Sequence, residues 1–224
     1  MSDTGSCIVA GVGPGLGRAL ARRFARAGFA VAMLARDRER LAGIADEIAR
    51  EGGRAHGFGC DLTVEADIRT AIARVGETLG PPSLLIYNAS VWNPTPAMDF
   101  APADFQRDLF LDVTGALVAA QAVVPAMRAA GGGTLVFTGG GLALKPSMGT
   151  EVPSLATGKA ALRAFVHAVA GELAPTGVRV ATVTVAGAIA PGTAFDPDRI
   201  ADTFFEVYAD PGDAAAVEVK FTGA

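Results

Sequence analysis

Residues 10–17 read Ala10-Gly11-Val12-Gly13-Pro14-Gly15-Leu16-Gly17, between a short apolar run, Cys7 to Ala10, and a segment of helical period, Gly15 to Ala27. A glycine-rich stretch so placed joins a strand to a helix. The widespread dinucleotide fingerprint needs Gly at its first, third and sixth positions. Counted from Gly11 the sixth is Leu16, and counted from Gly13 it is Arg18, so neither frame fits. The spacing Gly11, Gly15, Gly17 answers the same physical needs in another frame. One glycine makes the tight turn, another lets backbone approach a ligand, and the last lets helix pack on strand. The helix amino end then offers free N–H groups and a partial positive charge to phosphates.

Outward from this turn, short apolar runs alternate with longer segments of helical period, the pattern of βα units around a parallel sheet. Strands are predicted at Cys7 to Ala10, Ala30 to Ala35, Ala55 to Cys60, Leu84 to Tyr87, Thr134 to Thr138, Val178 to Val183 and Ala216 to Phe221. Helices are predicted at Gly15 to Ala27, Arg38 to Glu51, Val64 to Leu79, Ala103 to Ala129 and Ser154 to Leu173, with Asp37 and Thr63 as caps. Gly28, Gly52, Gly80 and Gly177 each follow a helix and suit its left-handed end. Gly115 and Pro125 interrupt the fourth pattern, which reads as one long kinked helix. The expected fold is α/β: seven parallel strands, doubly wound, with helices on both faces, in a single domain, 1–224. Ligands bind beyond the carboxyl ends of such strands, so Gly139 to Pro153 and Ala186 to Pro197 are the expected walls.

Composition narrows the function classes. Half of the 224 residues are hydrophobic, yet the apolar runs are broken by Gly, Arg and Asp, so none is expected to reach the roughly 18 to 20 residues of a membrane span. The polar opening, Met1 to Ser6, lacks the form of a secretion signal, and a cytoplasmic location is expected. The formal charge of −4 is spread along the chain with no basic patch, which argues against nucleic acid. Cys7 and Cys60 sit in strand-like contexts as reduced buried thiols, and His56 and His167 stand apart from any metal-ligand pattern.

The turn resembles that of the short-chain dehydrogenase/reductase family, T-G-x-x-x-G-x-G, with Ala10 in place of the threonine. Cys60-Asp61-Leu62 falls where the family's Asp contacts adenine, and Tyr87-Asn88-Ala89-Ser90 is similar to its N-N-A-G. The resemblance implies a Rossmann-type fold and a nicotinamide dinucleotide held by Gly11, Gly13, Pro14, Gly15, Leu16, Gly17, Asp61, Leu62, Asn88 and Ala89. The end of the second strand chooses the cofactor, since a carboxylate there bonds the ribose 2′-hydroxyl and a cation pairs with a 2′-phosphate. Arg36 therefore points to NADP(H) over NAD(H), the alternative being a solvated charge neutralised by Asp37.

The same resemblance places a Tyr-x-x-x-Lys element at the start of the helix after the fifth strand. Here that stretch is Leu155-Ala156-Thr157-Gly158-Lys159, so Leu155 holds the tyrosine position and Lys159 is retained, implying contact with the nicotinamide ribose. Gly140 aligns with the family's serine and Asp112 with its relay asparagine, and no catalytic side chain is assigned: Thr138, Ser147, Ser154 and Thr157 are far weaker acids than tyrosine, and Glu151 or Asp112 would need a raised pKa to substitute. In the segment after the sixth strand, the Ile189 backbone is implied to meet the carboxamide, and Phe195 to Ala201 reads as a helix start on a lid or wall. Trp92, Phe137, Leu142, Leu144, Met148 and Phe195 are candidates for an apolar substrate pocket, with core packing as the other reading of each. Two functions follow: an NADP(H)-dependent oxidoreductase on a small molecule, or a non-catalytic dinucleotide-binding regulatory or structural subunit. The family's habit of pairing its long helices implies a homodimer or homotetramer.

Overall fold

The computed structural model describes residues 5–209 and 216–223; residues 1–4, part of the stretch read for a signal, lie outside the described residues. A seven-stranded sheet in the order β3-β2-β1-β4-β5-β6-β7 runs through the molecule, parallel at each pairing. Its strands are β1 (Ser6–Ala10), β2 (Ala30–Ala35), β3 (Arg54–Gly59), β4 (Pro82–Tyr87), β5 (Gly133–Gly140), β6 (Val178–Val185) and β7 (Glu218–Phe221). Helices α1 (Leu16–Arg26), α2 (Arg38–Arg50), α3 (Glu65–Leu79), α4 (Pro102–Leu109), α5 (Gly115–Ala129), α6 (Pro153–Leu173) and α7 (Pro197–Ala209) make the connections. The order reverses between β1 and β4, and a crevice opens there at the strands' carboxyl ends.

Alternation along each strand sorts side chains to two faces. Cys7, Val9, Val31, Met33, Leu84 and Ile86 join residues of α1, α2 and α7 in one core. Ile8, Ala10, Leu34, Leu85, Tyr87 and Phe137 join α3, α5 and α6 in the other. Both cysteines are buried and unpaired, and burial pushes the Cys60 thiol up to about 12.

Helix ends follow local chemistry. Asp37 caps α2 by accepting from the Arg40 N–H at 2.9 Å, and Gly28, Gly52, Gly80 and Gly177 all have positive φ. Thr63 does not cap α3, whose first residue follows Val64. Its N–H and hydroxyl donate instead to Asp61 Oδ1, at 2.9 and 2.7 Å.

The long helix is continuous over 28 residues, Pro102–Ala129, but its irregularity is not at Pro125. That proline is exposed, so the carbonyl it frees on Gln121 meets water at little cost. The break is a π turn, Phe110–Thr114, between α4 and α5. Tyr87 donates its phenol to the Leu111 carbonyl there at 2.6 Å. A Cβ on Gly115 would collide with that phenol oxygen and stand 2.8 Å from the Leu62 carbonyl. This helix is also long and apolar enough by composition to cross a membrane, against the expectation that no stretch reaches that length. Packing explains the composition: Ala116, Val118, Ala119, Val123 and Met127 are core residues.

At the sheet's far edge, Arg163 on α6 grips Glu218 on β7 with two nitrogens, at 2.9 and 2.7 Å, and Thr184 on β6 donates to it at 2.7 Å. The Glu218 side chain is only 9% exposed. The Arg163 hydrogen bonds, opposed by burial, hold its carboxyl at about 2, below its ordinary 4.5. A depressed carboxylate stabilises the fold above its unfolded pKa and loses that contribution as pH falls through the folded one. Glu218→Gln is therefore expected to cost about 1–3 kcal/mol at neutral pH. In urea titrations the gap to wild type should be full above pH 4.5 and should close toward pH 2. A gap unchanged at pH 3 would contradict this account.

Candidate functional site

The crevice at the reversal of strand order is a cleft of about 1480 Å³. One end is the glycine turn. The Gly11 and Val12 N–H groups both donate to the Leu34 carbonyl of β2, at 3.0 and 3.1 Å, which pins the turn to the sheet. Gly11 has φ +92°, and a Cβ on it would stand 2.6 Å from the Ala89 nitrogen. A Cβ on Gly17 would stand 2.6 Å from the Gly11 carbonyl oxygen. Gly13 and Gly15 differ, because a Cβ on either meets no atom within 4 Å and would project into open space. No side chain caps α1 and its first turn holds no acidic residue, so its amino end faces the cleft with its positive pole uncompensated. These features fit a diphosphate: two glycines tighten the turn and two keep its surface bare.

Of the thirteen residues expected to hold a dinucleotide, twelve line this cleft. Pro14 does not; it is exposed at the outer bend of the turn, and its neighbours' backbone forms the wall. Leu16, Asp61, Leu62, Ala89, Lys159 and Ile189 come to it from five different loops or helices. Arg36 is exposed at the tip of β2 on the cleft wall, with Arg40 beside it on the same wall. Asp37 does not neutralise Arg36 by an ion pair. Its carboxylate is engaged by Arg40, through the N–H and through the guanidinium at 2.9 Å.

Asn88 ties the two ends of the cleft together. Its Nδ2 donates to the Gly11 carbonyl at 2.9 Å, and its Oδ1 accepts from the Thr138 hydroxyl at 3.0 Å. The Thr138 carbonyl in turn accepts from Lys159 Nζ at 2.9 Å. Hydrogen bonds thus run in a line from the glycine turn to the lysine, past the ends of β4 and β5. Thr138 escaped the reading of the sequence as a structural member of the site, because its role appears only when β4 and β5 are neighbours.

Around Lys159 the far end has an unusual charge distribution. Lys159 is buried, and burial pulls its ammonium below the ordinary lysine range while Asp112 pulls it back up. Asp112, at the centre of the π turn, is fully buried, and among the described residues neither carboxylate oxygen has a hydrogen-bond partner. Burial pushes its carboxyl up to about 7; Lys159 opposes that shift and Asp108 adds to it. The Val91 N–H favours ionisation slightly without reaching hydrogen-bond geometry. The Asp112 carboxyl lies against Gly158, where a Cβ would overlap it. Asp108, one turn earlier, is 4% exposed, and its Oδ2 accepts from Ser154 at 2.9 Å and from Asn93 at 3.1 Å. Asp108 and Asn93 line the cleft, and neither was singled out in the sequence. The one available signal was the four-residue spacing of Asp108 and Asp112 on a helix facing the strands' carboxyl ends.

Leu155 and Gly140 both line the cleft beside Lys159. Of the six apolar pocket candidates, Trp92, Leu142, Leu144 and Met148 line it. Phe137 is core, packed edge-on against Phe165, and Phe195 packs on Phe221. Trp92 and Met148 are 68% and 71% exposed, forming an open apolar rim.

A family model described as short chain dehydrogenase matches residues 6–196. Sulfoacetaldehyde reductase 2 of Chromohalobacter salexigens is 30% identical over 223 residues, 99% of this chain and 81% of that protein. Among solved structures, a metagenomic short-chain oxidoreductase in complex with NADP matches with a TM-score of 0.88 at 26% identity, covering 98% of each chain. A 7α-hydroxysteroid dehydrogenase complexed with NADH and 7-oxo glycochenodeoxycholic acid matches with a TM-score of 0.89 at 26% identity, covering 99% of this chain and 94% of that one. These two relatives carry different nicotinamide dinucleotides.

Proposed function

Because the chain belongs to the short-chain dehydrogenase family, we propose that it binds NADP(H) along this cleft and acts as an oxidoreductase on a small carbonyl or alcohol. The observation that carries the cofactor reading is Arg36, exposed on the cleft wall at the end of β2, with Asp37 engaged by Arg40 instead of by Arg36. A 2′-phosphate placed there gains charge-assisted bonds, whereas a bare 2′-hydroxyl gains little from a cation. The glycine turn and the α1 amino end hold the diphosphate, Asp61 and Leu62 flank the adenine, and Ile189 borders the carboxamide. Lys159 reaches the ribose near the reacting end. When bound, the cofactor supplies or accepts a hydride. The chain's own residues orient it and shape the apolar rim that receives the second substrate.

Leu155 and Gly140 stand where the family's tyrosine and serine stand, so the usual hydroxyl acid and its partner are replaced. This is the specific ground for a second reading, a protein that binds NADP(H) without turnover. Calorimetry tests the shared premise. NADPH is expected to bind at least tenfold more tightly than NADH, and Arg36→Ala to weaken NADPH by about 10- to 100-fold, the worth of one or two charge-assisted bonds. NADH affinity should not move. Equal losses for the two would remove Arg36 from the 2′-phosphate. The partly exposed apolar side of the long helix, Leu117 among it, supports assembly through that helix into a homodimer or homotetramer. A monomer in sedimentation would contradict it.

A further inference from the structure

The chain has three lysines, and Lys159 is the buried one; Lys145 and Lys220 are exposed. Its ammonium bonds a neutral acceptor, the Thr138 carbonyl. Two features of the sequence clear its path to the cleft. Gly140 puts no side chain opposite its stem, where a Cβ would stand 3.2 Å from Lys159 Cγ and 3.4 Å from Cδ. Leu155, one turn earlier on α6, ends in methyl groups. Lys159 and Leu155 both border the cleft, and neither position supplies a hydroxyl between the ammonium and a ligand. Close to Lys159 lies the Asp112 carboxyl, which has no hydrogen-bond partner among the described residues.

We propose that Lys159 itself hands the proton to the oxygen of a bound carbonyl, and that Asp112 is the positioning carboxyl whose charge governs how readily it does so. The inference rests on the cofactor reading above. In the step, hydride from the reduced dinucleotide reaches the carbonyl carbon, and the C=O π pair moves to oxygen. That oxygen takes a proton as one N–H bond of the ammonium breaks. The products are the alcohol, the oxidised dinucleotide and a neutral amine, which regains its proton from solvent. The groups facing Asp112 are Lys159 from α6, Asp108 from the preceding turn and the Tyr87 phenol from β4. Those facing Lys159 are Asp112 and, from β5, the Thr138 carbonyl and the bare Cα of Gly140. Burial, opposed by Lys159 and aided by the charge of Asp108, pushes the Asp112 carboxyl up to about 7, so below that pH it is neutral and leaves the ammonium a better acid, and above it its charge holds the proton on the amine.

The presence of three lysines makes the test direct. With protein labelled in lysine carbon-13 and saturated with NADP+, three Cε signals are followed against pH, and Lys159→Met assigns one of them. The Lys159 signal should titrate below the ordinary lysine range, because burial disfavours its charge, and lower still in Asp112→Asn, which removes the negative charge. With NADPH and phenanthrenequinone as the carbonyl probe, the rate should fall as pH rises through the same midpoint. That limb should shift downward in Asp112→Asn and vanish in Lys159→Arg, which stays cationic throughout. Lys159→Met should lose about 100-fold or more. The proposal is overturned if Lys159 titrates within or above the ordinary lysine range or if the limb stays in place in Asp112→Asn. It is equally overturned if a protein that binds NADPH by calorimetry consumes none at any pH, and the cofactor reading then stands. Failure to bind either dinucleotide overturns that reading and this proposal with it.

Discussion

Gly11→Ala is expected to lose NADPH binding by at least about 100-fold and to destabilise the fold by about 3 kcal/mol or more. Two costs add. A non-glycine residue at φ +92° pays about 1–2 kcal/mol for the left-handed backbone. The new Cβ would also lie 2.6 and 2.7 Å from the Ala89 nitrogen and Cα, backbone atoms that move only if β4 moves, and overpacking of this kind costs about 1–3 kcal/mol. For a chain of this length each kcal/mol lowers the melting midpoint by about 2–4 °C. Gly13→Ala is the contrasting variant. Its Cβ meets nothing within 4 Å, so the melting midpoint should hold while NADPH affinity falls, because the methyl enters space kept for the ligand. A Gly11→Ala protein that melts and binds like wild type would remove the turn from the binding site.

Leu155→Tyr combined with Gly140→Ser is expected to raise NADPH consumption with a simple carbonyl by about 100-fold or more, the worth of a positioned general acid. The structure leaves room for both changes. Leu155 is half-buried on the cleft wall, so a ring there extends toward solvent-accessible space. A serine Cβ at position 140 presses on the Lys159 stem, at 3.2 to 3.6 Å, and a flexible lysine side chain yields by that amount. The lysine then lies beside a phenol, and a neighbouring ammonium favours the phenolate and so makes the phenol a better acid. A double variant that folds, binds NADPH and turns over no faster would show that something other than these two side chains limits the reaction.

The sheet was legible because its central strands are short apolar runs, and the bounds read for β2 match the strand to the residue. Strands β5 and β6 extend two residues past Thr138 and Val183, into Gly139-Gly140 and Thr184-Val185. Glycine and threonine at a strand's end read as loop until the neighbouring strand is known. In the long helix, Gly115 was marked correctly, but the reason for it lies on another element, in the Tyr87 phenol. The cleft was legible wherever backbone does the work, as at the glycine turn. It was not legible where side chains meet across elements. Asp108 with Ser154 and Asn93, and Asn88 with Thr138, are pairings of residues fifteen to fifty positions apart.

The line of hydrogen bonds from the Gly11 carbonyl through Asn88 and Thr138 to Lys159 makes the cleft's two ends one mechanical unit. A guest that steadies the turn is expected to steady the amine through this line, and a guest on the amine to steady the turn. Thermodynamic reciprocity then requires each guest to strengthen the other's hold by the same factor. Cutting the tie at Thr138, by a valine of similar shape, should leave two half-sites that no longer sense each other's occupancy.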